Sequence, residues 1–164
     1  MNSRTRWAAA GGLLGAAMLL SSCAAGGTSG QSPASASGAA SSTGGGHSVM
    51  LGTTKAGKVL VDPRGMTLYA FAKDTKGHSV CTGQCAAYWP PVPSSDAPKG
   101  ASGAVTATFG AIKRTDGSSQ LTVNGYPMYT YAGDSQPGQA NGQGLNLSGG
   151  LWWVVSGNGS WVTH

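Results

Sequence analysis

The chain contains no glutamate, and its five acidic residues are all aspartates: Asp62, Asp74, Asp96, Asp116 and Asp134. Charged residues make up 9% of it, against about 25% in ordinary domains. So little charge argues against a salt-bridged helical protein and against most hydrolases that work with two carboxylates. The basic residues are scattered, and Lys113–Arg114 is the one adjacent pair. A nucleic-acid binder carries a basic stripe or patch; none is present, so no nucleic-acid partner is expected. Catalytic signatures are also missing: there is no nucleophile elbow, no phosphate loop and no His-Glu-x-x-His. Of the three histidines, His164 is the last residue and His47 borders a low-complexity stretch, which leaves His78 inside the folded part. Against these absences stands an excess of glycine, 28 of 164 residues, which points to many tight turns.

Residues 1–22 read as a signal peptide. Arg4 and Arg6 make a short positive start, and residues 8–20 are uncharged and mostly apolar. That run suits a signal-peptide core and falls short of the ~20 residues a membrane helix needs. It ends in Leu20-Ser21-Ser22-Cys23, which has the form of a bacterial lipobox. Lipidation is therefore expected at Cys23, with cleavage making it the first residue of the mature chain. The lipid would hold the protein on the outer face of the bacterial cytoplasmic membrane. Residues 23–46 follow as a tether of Ala, Gly, Ser and Thr with no charge and no large apolar side chain. Such a segment cannot bury a core, and as a flexible chain it spans roughly 25 Å.

From residue 47 to 164 the composition changes to that of a folded domain, and it contains an internal repeat. The segment Leu60-Val61-Asp62-Pro63-Arg64-Gly65-Met66-Thr67-Leu68-Tyr69-Ala70-Phe71-Ala72-Lys73-Asp74 returns as Leu121-Thr122-Val123-Asn124-Gly125-Tyr126-Pro127-Met128-Tyr129-Thr130-Tyr131-Ala132-Gly133-Asp134. Each reads as strand, tight turn, strand, then Asp, and each is followed by a tryptophan strand, Tyr88–Val92 and Leu151–Val155. Repeat 1 covers about residues 50–100 and repeat 2 about 104–164. Alone, each would bury too little surface to be stable. Asn124-Gly125 is a strong hairpin signal because both residues tolerate positive φ. Asp62-Pro63-Arg64-Gly65 suits a type I turn, and Lys113–Ser118 looks like another hairpin tip. One short helix is expected near Cys81–Tyr88, with Thr82 as its cap and Pro90-Pro91 as its stop. The expected fold is mostly β, a small two-repeat hairpin sandwich or barrel.

Several of these motifs occur together and in order: the lipobox, two Tyr-x-aromatic-x-x-Asp motifs, Cys81-Thr82-Gly83-Gln84-Cys85 before Trp89-Pro90-Pro91, and Arg114-Thr115-Asp116-Gly117 before Gln120 and Asn124-Gly125-Tyr126-Pro127. The chain thereby resembles the bacterial lipoprotein family named for its secreted repeat of unknown function, with the Tyr-x4-Asp motif. The resemblance covers about Gly57 to Val155. It implies an extracytoplasmic location and a repeat architecture, and it carries no established reaction.

Cys81 and Cys85 are the cysteines left once Cys23 is lipidated. An even pair in an exported chain favours a disulfide, and an i, i+4 spacing on a helical turn puts both side chains on one face. Two alternatives stay open. His78, Cys81 and Cys85 together offer one imidazole and two thiolates, a set suited to copper or zinc, with Met66 or Met128 as an added ligand. The pair could also work as a redox couple.

The repeated Tyr69, Phe71, Asp74 and Tyr129, Tyr131, Asp134 read first as structure. Residues two apart on a strand share a face, and the Asp accepts backbone N–H bonds in the turn that follows. A functional alternative brings Asp74 and Asp134 together across the repeat as paired carboxylates. Trp89, Trp152 and Trp153 offer a ligand face, since adjacent Trp152 and Trp153 must point to opposite sides of their strand. Asp134, with Asn141, Asn146 and backbone carbonyls of the long loop 137–150, could hold a hard cation, though the spacing fits no calcium motif.

Three functions follow from this inventory. The leading one is a membrane-anchored, non-enzymatic binding or envelope module whose partner is a cell-wall polymer or another envelope protein. The second is a copper or zinc binding or electron-transfer accessory using His78, Cys81 and Cys85. The third is an envelope hydrolase using Asp74 and Asp134.

Overall fold

A computed structural model describes residues 48–99 and 104–164; the signal peptide, Cys23 and the tether lie outside the described residues. Eight strands are present among the described residues: β1 Met50–Thr54, β2 Gly57–Val61, β3 Tyr69–Phe71, β4 Phe109–Lys113, β5 Ser119–Val123, β6 Tyr126–Pro127, β7 Asn146–Leu147 and β8 Gly150–Val154. They form three small antiparallel sheets, ordered β1–β2, β3–β8–β7 and β4–β5–β6, and these do not close into a barrel. One short helix, α1 Gln84–Tyr88, and one 3-10 turn, Ser94–Asp96, complete the regular structure among the described residues. No described helix is long and apolar enough to cross a membrane.

The turns form for the local reasons their residues suggest. Gly65 N–H donates to Asp62 C=O at 2.9 Å, closing the four-residue turn. The Asp62 carboxylate then caps it by accepting from the backbone N–H groups of Arg64 and Met66. At the second hairpin Asn124 and Gly125 take φ of 51° and 88°. That left-handed pair matches the twist of the flanking strands. Helix α1 starts later than its sequence suggests. Gly83, at φ 55°, is the residue before its first turn, and no side chain caps it. Thr82 instead accepts the Cys85 N–H on its carbonyl.

The two repeats are interlocked. Leu68 N–H donates to Leu60 C=O (2.9 Å), and Met128 N–H donates to Leu121 C=O (3.0 Å), which builds the same bent hairpin twice. The tryptophan segments are then exchanged. Val92, from repeat 1, bonds Leu121 and Met128 of repeat 2, while Val155, from repeat 2, bonds Leu60 and Leu68 of repeat 1. Farther along, Ala132 N–H reaches Tyr88 C=O and Ala72 N–H reaches Leu151 C=O, both at 2.9 Å. Tyr69 and Tyr129 lie where the halves meet and are each other's partner, with N–H to C=O distances of 2.8 and 3.0 Å.

Two buried clusters result. One collects the aliphatic residues Leu60, Leu68, Val92, Leu121, Met128 and Val155. The other collects the aromatic residues Tyr69, Phe71, Trp89, Tyr129 and Trp152. Both take members from each repeat, so neither repeat owns a core. Separately produced halves, 50–100 and 104–164, are accordingly expected to be unfolded by amide NMR, and a dispersed spectrum should return when they are mixed. A dispersed spectrum from either half alone would contradict the exchange.

Candidate functional site

The repeated motif builds the centre of the molecule. Asp74 N–H donates to Phe71 C=O and Asp134 N–H donates to Tyr131 C=O, each at 3.0 Å, so both aspartates sit in the same tight turn. Their carboxylates reach across to the opposite repeat. Tyr69 Oη donates to Asp134 Oδ2 and Tyr129 Oη donates to Asp74 Oδ2, both at 2.6 Å. The second oxygens hold loops: Val80 N–H donates to Asp74 Oδ1, and Asn141 N–H donates to Asp134 Oδ1, each at 2.8 Å. The two aspartates share no bond and no partner. The carboxylate pair expected of a hydrolase is therefore two separate locks.

Arg114 is a buried member of this centre that its sequence context hides. It stands at a hairpin tip beside an exposed Lys113 yet is only 8% exposed. Its guanidinium donates to Gln120 Oε1, to Ser79 Oγ at 3.0 Å and to the Cys81 carbonyl at 2.6 Å. Tyr129 has one hydroxyl proton and gives it to Asp74, so Ser79, 2.6 Å away, must donate to Tyr129. The bonds then run in one direction, from Arg114 through Ser79 and Tyr129 to Asp74. Such a chain, with a cation at one end and a carboxylate at the other, polarises every bond in it. Burial raises the Asp74 carboxyl above its ordinary value, against the Tyr129 and Val80 bonds and the charge of Arg114. Burial and the adjoining carboxylates push both tyrosine hydroxyls well above their usual range.

Cys81 and Cys85 form a disulfide with a Cα–Cα distance of 5.2 Å. It ties α1 to the segment that Arg114 holds. Both sulfurs being joined, the set His78, Cys81 and Cys85 offers no thiolate in this state. No group of three or more His, Cys, Asp or Glu among the described residues is placed to hold a metal ion.

Of the three tryptophans expected to offer a ligand face, two are occupied with each other. Trp89 and Trp152, at equivalent places in the repeats, are fully buried and stack with centroids 3.8 Å apart and planes 1° from parallel. Tyr131 covers the other face of Trp89 and Phe71 the other face of Trp152, each at 4.2 Å. The result is a four-ring pile, with Tyr69 and Tyr129 edge-on to the tryptophans. Neither Trp89 nor Trp152 has a free face, and the two have only their edges left for other contacts. Trp153, on the opposite side of β8, is partly buried.

The 137–150 loop is knitted in rather than loose. Gln139 Oε1 accepts from the N–H groups of Ser135 and Gln136, and Gln143 bonds both Val154 and Val162. Gly142 lies so close to the aromatic pile that a Cβ there would come within 2.8 Å of Trp89 and Tyr69.

Beside the pile lies a groove of about 430 Å³ lined by Gln84, Cys85, Tyr88, Trp89, Tyr131 and Leu147, among others. Its volume falls in the ~300–1,000 Å³ range of small-molecule sites. The sequence singles out Trp89 and Tyr131, and Gln84 and Tyr88 lie in or beside the Cys81–Cys85 motif, while Leu147 carries no motif.

A mostly β fold of two interlocked repeats, with each motif aspartate locked to the other copy's tyrosine, defines a tandem-repeat module. The chain belongs to the family described as secreted repeat of unknown function, whose pattern matches it twice, over residues 50–93 and 110–156. Membership implies an extracellular or envelope location. No curated protein and no solved structure matches the chain.

Two outcomes follow from the buried locks. Both tyrosines have folded-state pKa values above those of the unfolded chain, so their stabilisation is complete below pH ~10 and is lost as pH rises beyond it. Tryptophan-monitored unfolding should show stability falling steeply above that pH. In the Tyr69→Phe, Tyr129→Phe double variant, the curve should be lower at neutral pH and flatter in alkali. Replacing Cys81 and Cys85 by alanine should cost about 2 kcal/mol in denaturant unfolding, the chain-entropy value for so short a loop.

Proposed function

We propose that this protein is an extracytoplasmic binding module, lipidated at Cys23 and held by a flexible tether at the outer face of the bacterial cytoplasmic membrane. It engages an envelope ligand, with cell-wall polymer as the partner, and carries out no reaction on it. One observation carries the reading. Both motif carboxylates accept a tyrosine hydroxyl and a backbone N–H, while the groove beside the ring pile presents aromatic and amide side chains to solvent. Groups that would do acid–base work are spent on holding the repeats together, and what faces outward suits contact.

The copper or zinc reading requires Cys81 and Cys85 to be reduced, since the disulfide uses both sulfurs. The hydrolase reading requires Asp74 or Asp134 to leave its lock.

Cys23→Ser is expected to move the protein from the membrane fraction into the medium without loss of folding. The wild-type protein should co-sediment with purified wall polymer whether or not a chelator is present. Retention of Cys23→Ser on the membrane would remove the lipid anchor from the proposal. Failure to sediment with wall polymer would remove the binding role.

A further inference from the structure

The internal repeat supplies its own control for the groove. Trp152 and Trp89 hold equivalent positions in the same stack. Trp152 Nε1–H donates to the Leu147 carbonyl at 3.0 Å, a carbonyl from the β7–β8 hairpin just before it. In repeat 1 helix α1 stands in place of that hairpin, and the helix uses Cys85 C=O for the Trp89 backbone N–H. Trp89 Nε1 is in consequence the sole buried side-chain polar atom without a partner among the described residues. An unpaired buried donor costs about 1–3 kcal/mol.

The broken symmetry falls at the groove that Trp89 lines. What repeat 2 provides from its own chain is an amide carbonyl, so the acceptor that completes repeat 1 is of the same kind. The remaining walls narrow the choice. The groove around Trp89 has no charged side chain, which favours a neutral group at that position. Tyr88, Tyr131 and Leu147 offer apolar surface of the kind the C–H face of a pyranose rests on. Gln84 and Ser148 offer amide and hydroxyl groups for ring hydroxyls. Tyr131 also lines a second hollow of about 370 Å³ with Arg64, Pro90, Thr130, Asp134 and Ser135, where one guanidinium and one carboxylate balance in charge. The two hollows meet at Tyr131, a layout that fits a chain of sugars better than one.

We propose that this groove binds an N-acetylated amino-sugar chain, with an acetamido carbonyl seated on Trp89 Nε1 as the Leu147 carbonyl is seated on Trp152 Nε1. The proposal rests on the binding role given above and names its ligand class. Because Trp89 Nε1 is buried, seating the carbonyl requires the rim to yield. Tyr88 and Leu147, 54% and 40% exposed, form that rim.

The test is an indole ¹H–¹⁵N NMR titration of the full-length lipidated protein in detergent. The Trp89 signal is assigned by its loss in Trp89→Phe. The probes are an N-acetylglucosamine tetramer, the same tetramer without acetyl groups, and a short neutral peptide. The acetylated tetramer is expected to move the Trp89 signal saturably and to bind about tenfold more tightly than its deacetylated form, the value of one good hydrogen bond. Tyr88→Ala, at an exposed position, should weaken binding with the other indole signals unchanged, which separates lost contact from lost fold. The assignment is overturned if the Trp89 signal stays still, if the deacetylated tetramer moves it equally, or if the peptide alone moves it. Wall sedimentation then distinguishes the failures. If wild-type protein still sediments with wall polymer, only the sugar assignment falls; if it does not, the binding role falls with it.

Discussion

The structure depends on two hydroxyl–carboxylate bonds that cross between the repeats. Tyr69 to Asp134 and Tyr129 to Asp74 each join the start of one motif to the end of the other. A buried carboxylate is costly unless it is hydrogen-bonded, and the tyrosine hydroxyl is the donor that makes each tolerable. In return, each aspartate fixes a loop through a backbone N–H, at Val80 in one half and Asn141 in the other. These are the loops that lead into the tryptophan segments. The polar pairs thus set where the apolar pile forms, and the four stacked rings then exclude water from the pairs. Removing either set leaves the other without its environment.

Much of the local structure was legible because it depends on neighbours in sequence. Asp62–Gly65 and Asn124–Gly125 state their turns outright, and the adjacency of Trp152 and Trp153 requires opposite faces. The two tyrosine–aspartate motifs announced the repeat, and the short spacing of Cys81 and Cys85 announced their bond. What was not legible spans distance. The Tyr69–Asp134 bond joins residues 65 positions apart, and within either repeat alone the nearer aspartate looks like the partner. The strand exchange is hidden for the same reason, since two identical motifs leave open which copy pairs with which. Arg114 gave no warning because a basic residue at a hairpin tip is ordinarily solvated; it is buried because Ser79 and Cys81 from one segment and Gln120 from another converge on it. The pairing of Trp89 with Trp152 was not legible because aromatic count says nothing of stacking, and only the edges of these two remain for other contacts.

The candidate site arises from what distinguishes the repeats. Where the halves agree, in the hairpins, the aspartate turns and the ring stack, residues are occupied with one another. Where they differ, a five-residue helix in one half faces a hairpin in the other, and the groove opens there. A duplicated scaffold can keep one copy of an element for closure and release its counterpart for recognition.

The exchanged tryptophan segments have a consequence for life outside a cell. A single copy of such a repeat completes its hairpin only by borrowing from a second copy, so as separate chains the two would be a dimer subject to dilution. Joined in one chain, the donor segment is always present at high effective concentration. Folding then becomes independent of how many molecules are nearby. For a protein exported into an unbounded volume, that removes the need for a partner molecule to be close at hand.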